Sequence, residues 1–390
     1  MSKKALVEVI DETPAGLEHL YDRQWDNIMR FPHLKRSRAL DLLRWAAFAL
    51  RPLTIYEMTE ALVINHECDD LPLDELPDTI DQDFVDSGII GLCGSLLEVR
   101  SNSSELSVGL RTVHLAHFSV RQYFVAKMSP PAGTLVTNER LRFSNEAIHS
   151  GILGQLCLRY VNFRSVWKPL QVESCEVKRS FRDYAAGSWY QHATEYGRDI
   201  NAVGLVNTLF DSSNPNWDAC RRLFDQNNAE LDGEDGTKTA SPLYYASRLG
   251  LVETVRHLVQ IQKHGLKEGD MPGRKALGAA CINGNMTIVD ILLQAGASIA
   301  DTDCVGRTPL YLAAWYGHDN LVKLFLERGA DLTVPNTNGW TPLNLASNKG
   351  HVEVVRLLLE KGADVTVANN NGWTPLNMAS NNGHVDVVKL

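Results

Sequence analysis

The chain has 390 residues, 44% hydrophobic and 22% charged, an ordinary globular composition with room for more than one domain. Its net charge of −9 opposes a sequence-independent grip on nucleic-acid phosphates, which needs clustered Lys and Arg. Its seven scattered cysteines, without a CxxC pair, do not read as a disulfide framework and point to a reducing compartment.

The N-terminal run MSKKALVEVIDETP lacks the apolar core of a secretion signal. The longest apolar-rich run, Leu40 to Leu50, is interrupted by Asp41 and Arg44 and is too short to span a bilayer. A soluble, cytoplasmic protein with no membrane partner is expected. Residues 1–35 read as a helical remnant, and residues 36–127 as a compact mixed unit. There ALDLLRWAAFAL has a helical pattern that Arg51-Pro52-Leu53 breaks. Thr54 opens the next helix, TIYEMTEALVI, with Glu57 three residues on, the spacing of a capping box. LLEVR and RTVHLAHF are strand-like runs around the polar SNSSE, and Ser119 with Gln122 is placed to cap a following helix, SVRQYFVAKM. Two helices in a tight turn, then a hairpin and a helix, give a winged-helix outline. DNA binding by that outline is opposed by His66 to Asp86, HECDDLPLDELPDTIDQDFVD, with nine acidic residues and no Lys or Arg. Residues 128–232 contain helix-like runs such as EAIHSGILGQLCLRYV and no repeat, and read as a helical connector.

Residues 233–390 are periodic. TPL recurs at Thr308, Thr341 and Thr374, each 33 residues apart, and GRTPLYLAAWYGHDNLVKLFLERGAD, GWTPLNLASNKGHVEVVRLLLEKGAD and GWTPLNMASNNGHVDVVKL carry the unit. SPLYYASRLGLVETVRHLV and KALGAACINGNMTIVDILLQAGA are weaker copies, making about five repeats with the last incomplete. The threonines are expected to cap short first helices, each with Pro at its first position. Gly317, Gly350 and Gly383 would end the first helices and Gly329 and Gly362 the second. Neither helix pair can bury its apolar residues alone, so Leu321, Val322, Leu324, Phe325 and Leu326 need a neighbouring repeat, as do Val354, Val355, Leu357, Leu358 and Leu359. Asn- and Gly-rich turns such as Asp331 to Gly339 and Asp364 to Gly372 would form hairpins between repeats. Because Leu390 matches Leu357, the last second helix is expected to be cut short, uncapped and frayed, as in a fragment or trimmed product.

Residues 233–390 resemble the ankyrin family. The His that usually follows TPL is Tyr311, Asn344 and Asn377 here, which removes the usual Thr–His hydrogen bond. Nearly the whole chain also resembles the part of fungal NOD-like receptor proteins that follows their NACHT nucleotide-binding module. The stretches PAGLEHLYDRQWDNIM, RALDLLRWAAFALRPLTIYEMTEALVI, LCGSLLEV, RTVHLAHFSVRQYF and RDYAAGSWYQHATEYG carry that resemblance. It implies a mostly α protein, an ankyrin solenoid preceded by a winged-helix-like domain and a helical connector, in which the array senses a partner. In that family an effector domain and a NACHT switch come first, whereas this sequence starts after the NACHT core.

Chemistry is sparse. Nucleotide phosphates need a glycine-rich loop ending in GK[ST] after a strand, and Gly233 to Thr239, GEDGTKT, has neither the spacing nor the strand. His114 with His117, and His66 with Cys68, are thin metal pairs, and the recurrent His318, His351 and His384 read as packing or surface residues. No catalytic set announces itself, so no enzyme, cofactor, metal or small-molecule substrate is expected. Function is assigned to protein capture on the inner face of the array, at hairpin tips and first-helix positions. Those positions are Cys304, Val305, Arg307, Trp315 and Tyr316, then Thr337, Asn338, Trp340, Asn348 and Lys349, then Asn370, Asn371, Trp373, Asn381 and Asn382. The principal contacts are Arg307, Trp315, Tyr316, Asn338, Trp340, Asn348, Lys349, Asn371 and Trp373, since Trp, Tyr and Arg are the usual interface anchors. Trp340 and Trp373 are equally well read as a structural ladder packing across successive hairpins. The alternative function is a NACHT-type nucleotide-driven signalling switch of which this chain forms the C-terminal part.

Overall fold

The computed structural model describes residues 17–65, 68–101, 107–127, 138–167, 181–194, 200–211, 213–227, 241–261 and 271–390. The first residues, His66, residues 102–105 of the polar turn, Cys175 and Gly233 to Thr239 lie outside them. The chain divides into two compact units, one of residues 1–205 with 215–227 and one of 206–214 with 228–390.

In the first unit α1 (Leu17–Met29) precedes α2 (His33–Phe48), which starts directly after Pro32 and therefore earlier than ALDLLRWAAFAL suggests. The chain turns extended at Ala49, and Arg51-Pro52-Leu53 leads into α3 (Ile55–Leu62). The expected capping box is formed, with Thr54 Oγ1 accepting from the Glu57 amide at 3.2 Å and the Glu57 carboxylate from the Thr54 amide at 2.8 Å. The same carboxylate takes two donors from Arg51, at 2.8 and 2.6 Å, which ties the turn to the helix start. Strands β1 (Leu97–Arg100) and β2 (Thr112–Leu115) pair antiparallel, with Leu97 opposite Leu115 and Arg100 opposite Thr112. The residues before α3 line the other edge of β2, since the Val113 amide donates to Leu53 O and the Ile55 amide to Arg111 O, each at 2.9 Å.

Helix α4 (Phe118–Lys127) corrects one expectation. Ser119 lies inside it and is buried, and the capping acceptor is His117, whose Nδ1 takes the Ser119 amide at 3.3 Å. The Ser119 hydroxyl is occupied by His117 Nδ1 at 2.6 Å and Tyr21 OH at 2.9 Å, a packing contact with α1.

Helices α5 (Asn138–Asn162) and α6 (Arg182–Thr194) pack on one another, and α5 also packs on α2. Trp45 of α2 stands edge-on to Phe181 and Tyr184, with centroids 5.2 and 6.2 Å away. Polar groups in this core are met by specific partners. Glu60 is fully buried and accepts from Tyr160 OH at 2.8 Å and the Phe181 amide at 2.9 Å. His192 lies between Ser150 Oγ at 2.9 Å and Tyr184 OH at 3.1 Å. His149 stacks on Phe48 at 4.9 Å and its Nδ1 accepts from Arg44 Nε at 3.2 Å. Burial, reinforced at His149 by the Arg44 charge, pushes both imidazoles down to about 4. Helices α7 (Ile200–Leu209) and α8 (Trp217–Asn227) follow.

The repeats form successive helix pairs: α9 (Pro242–Arg248) and α10 (Val252–Ile261), α11 (Met271–Ile282) and α12 (Met286–Gln294), α13 (Pro309–Tyr316) and α14 (Asp319–Glu327), α15 (Pro342–Lys349) and α16 (Val352–Glu360), then α17 (Pro375–Asn381) and α18 (Val385–Val388). Thr308, Thr341 and Thr374 cap first helices as expected, each accepting the amide three residues on at 3.1, 3.2 and 3.3 Å. Gly317 and Gly350 end two of them at φ 74 and 76°. First helices pack in one row, α9 through α17, and second helices beside them, α14 on α16 and α16 on α18. Leu321, Val322, Phe325 and Leu326 of α14 are buried, as are Val354, Val355 and Leu358 of α16; Leu324, Leu357 and Leu359 are half-buried. Each fully buried side chain of this kind contributes about 1.5–3 kcal/mol. In the last repeat Leu376, Val385, Val388 and Leu390 face solvent.

Candidate protein-interaction face

The hairpins leading into α13, α15 and α17 are built alike. Asp303, Asn336 and Asn369 each use a side-chain oxygen to accept two amides across the turn: Val305 and Arg307, Asn338 and Trp340, Asn371 and Trp373, at 2.8–3.1 Å. The same three residues donate their own amides to the carbonyls of Arg307, Trp340 and Trp373. Successive tips are joined by the Thr337 amide to Val305 O at 3.0 Å and the Asn370 amide to Asn338 O at 3.1 Å. Gly339 lies at φ 76°, and a Cβ there would meet the Asn370 amide nitrogen at 2.8 Å, so close stacking of the tips requires glycine.

Below the tips, the residue after Thr-Pro-Leu bridges to the next hairpin. Buried Asn344 accepts from the Thr341 amide at 3.0 Å and the Thr341 hydroxyl at 2.6 Å, and donates to Val367 O at 3.1 Å. Tyr311 accepts from Asn336 Nδ2 at 2.8 Å, and burial raises its phenol. Asn344 thus restores with a carboxamide the bond to Thr that the missing His would make. The signal was present, because Asn is otherwise hard to place among buried Leu and Ala residues.

The sequence-predicted contacts distribute unevenly over this frame. Arg307 is half-buried, with its guanidinium held by Asp303 at 2.5 Å, so its charge is spent within its own hairpin. Trp315 is half-buried, edge-on to Tyr311 at 5.9 Å and stacked with Tyr316 at 6.2 Å. Tyr316 is 45% exposed and stacks in turn with His318. Trp373 is 39% exposed, whereas Trp340 is half-buried, and no ring-to-ring contact joins them among the described residues. Asn338, Asn371 and Lys349 are exposed. Half-buried Asn348 accepts at its carbonyl from His384 Nε2 at 2.9 Å and Asn382 Nδ2 at 3.0 Å, which draws its main chain into the stack. Asp331 and Asp364, at the hairpin entries, are held below the usual carboxylate range by the hydroxyls and amides of Thr333 and Thr366.

Residues 243–336 and 333–390 match the family model described as ankyrin repeats, in three copies. These are ankyrin repeats. The ankyrin array explains the regular hairpin chemistry, and its recurrent histidines are packing residues, bonded to backbone carbonyls. The azaphilone pigments biosynthesis cluster protein L of Monascus ruber is 25% identical over 305 residues, covering 73% of this chain and 60% of that protein. The chain therefore spans about 60% of the length of that curated relative.

In the first unit, His114 bonds Thr112 Oγ1 at 2.8 Å while His117 serves α4, so the two are not brought to one point. Among the described residues no group of three His, Cys, Asp or Glu side chains converges, and no helix is long and apolar enough to cross a membrane.

Proposed function

We propose that this chain is a non-catalytic scaffold that captures a protein partner on the surface formed by the hairpin tips and first helices of its ankyrin array. One observation carries the reading. The hairpins satisfy their own backbone and link to one another, yet Trp373 on a hairpin and Tyr316 at the end of first helix α13 stay exposed, so the surface is pre-organised and offers aromatic anchors. Asn338, Asn371 and Lys349 supply polar contacts around those anchors, with Arg307, Trp315, Trp340 and Asn348 supporting them from half-buried positions.

The first unit is assigned a regulatory role. Its helices α2 and α3, a helical run over residues 82–96, the β1–β2 hairpin and α4 support a winged-helix reading, and with the array the unit fits the sensing and regulatory part of a receptor-type signalling protein in the cytoplasm. The free cysteines Cys68, Cys93, Cys157, Cys220, Cys281 and Cys304 accord with a reducing compartment.

Affinity capture with the full chain, compared with the Tyr316→Ala/Trp373→Ala chain, tests the interface. A protein retained by the first and lost from the second, with unchanged thermal unfolding, supports it; equal retention rejects it.

A further inference from the structure

Charge is segregated in the last two ankyrin repeats. Between the entry aspartate Asp331 and Lys349, and again from the residue after Asp364 to Gly383, the last two hairpins and first helices contain no Asp, Glu, Lys or Arg. In the preceding hairpin the pair Asp303 and Arg307 closes on itself at 2.5 Å. The second helices carry the charges instead, as with Asp319, Lys323 and Glu327 on α14 and Glu353, Arg356 and Glu360 on α16. Lys349, at the C-terminal end of α15, stands at the border of the neutral surface.

Within that surface the side chains of Asn338 and Asn371 are exposed and make no hydrogen bond to another described residue; their backbone amides are taken by Asn336 and Asn369, and the Asn338 carbonyl by the Asn370 amide. A carboxamide is donor and acceptor without net charge, the complement of a peptide bond. A charged partner group buried here would lose its hydration and find counter-charges only at the edges, at Asp331, Asp364 and Lys349, whereas a neutral segment loses less. A partner helix would offer its amides only at its first turn, so a non-helical segment suits the carboxamides better.

Resting on the interaction reading above, we infer that the partner presents an uncharged, non-helical peptide segment. The carboxamides of Asn338 and Asn371 pair with its backbone, and Tyr316 and Trp373 cover its apolar side chains. Steering by charge plays no part, so binding is nearly indifferent to salt.

The test pans the full chain against phage-displayed random peptides. Retained peptides are then measured by fluorescence anisotropy on the wild-type chain, on Tyr316→Ala/Trp373→Ala and on Asn338→Asp/Asn371→Asp. The expected peptides carry no net charge, change affinity less than about twofold between low and high salt, and weaken about tenfold, or ~1.4 kcal/mol, on either variant. Peptides that are strongly charged and lose about tenfold or more with salt, yet still depend on the aromatic pair, overturn the neutral-segment inference and leave the interaction face standing. Neutral peptides indifferent to the Asn→Asp pair overturn it too, since the carboxamides then contribute nothing. Peptides that bind the aromatic variant as tightly as wild type, or a selection that retains nothing above that variant, overturn the face itself.

Discussion

The imidazole of His351 lies against Gly317 of the preceding repeat, and its Nε2 donates to the carbonyl of Trp315 at 3.0 Å. A Cβ built on Gly317 would sit 2.6 Å from His351 Nδ1. His318 over Gly284 and His384 over Gly350 repeat the relationship, at 2.6 Å in each case. The glycine that ends a first helix is thus also the floor on which the next repeat's histidine rests, and at His351 and His384 the carbonyl that the imidazole bonds, of Trp315 and Asn348, belongs to the candidate face.

Two glycines of equal backbone geometry separate strain from contact. Gly329 has φ 78° with nothing within 4 Å of an added Cβ, so Gly329→Ala is expected to cost only the left-handed penalty, about 1–2 kcal/mol. Gly317→Ala, at φ 74°, must also displace the ring of His351 and is expected to cost clearly more. Urea unfolding of the two variants checks this; equal losses would mean that the histidine contact contributes nothing.

Asn344 is fully buried and joins Thr341 to the next hairpin. Asn344→Ala leaves the Val367 carbonyl and the Thr341 amide without this partner, an expected loss of about 1–3 kcal/mol per buried group abandoned. Asn344→Asp removes the donor to Val367 and introduces a buried charge, and is expected to be worse at neutral pH. Denaturation midpoints at constant m-value decide; an unchanged midpoint would contradict the bridging role.

Acid should loosen the first unit. Folded His149 and His192 titrate at about 4, below the ordinary value of 6.5, so the unfolded chain binds more protons between those limits. Their contribution is intact above pH 6.5, declines as pH falls toward 4, and changes by about 1.4 kcal/mol per pH unit for each histidine. Protonating His149 would also turn its acceptor nitrogen against Arg44. Hydrogen exchange in α2, α5 and α6 is expected to accelerate across that window, and His192→Gln to flatten the dependence; exchange that is flat with pH would refute it.

The repeats were legible because their signals are local and recur. Thr, Pro and Gly at fixed offsets dictate caps and chain reversals, and the capping box at Thr54 and Glu57 is equally short-range. What escaped is long-range or depends on burial. Glu60 meets Tyr160 and Phe181, His192 meets Tyr184 and Ser150, and nothing local in the sequence marks those pairings. Ser119 has the composition of a cap, yet the tertiary contact with Tyr21 takes its hydroxyl into the core and leaves the cap to His117. Within the face, residue type pointed to aromatic anchors, but only the fold distinguishes exposed Tyr316 and Trp373 from half-buried Trp315 and Trp340, or shows Arg307 neutralised by Asp303.

Site-specific photo-crosslinking locates the partner on the array. A photoreactive residue placed at Tyr316 on the first-helix surface, or at Arg356 on the charged second helix α16, leaves the rest of the chain unchanged. A covalent adduct with a protein partner is expected from position 316 and none from position 356. An adduct formed from 356 and absent from 316 would contradict the proposed interaction face.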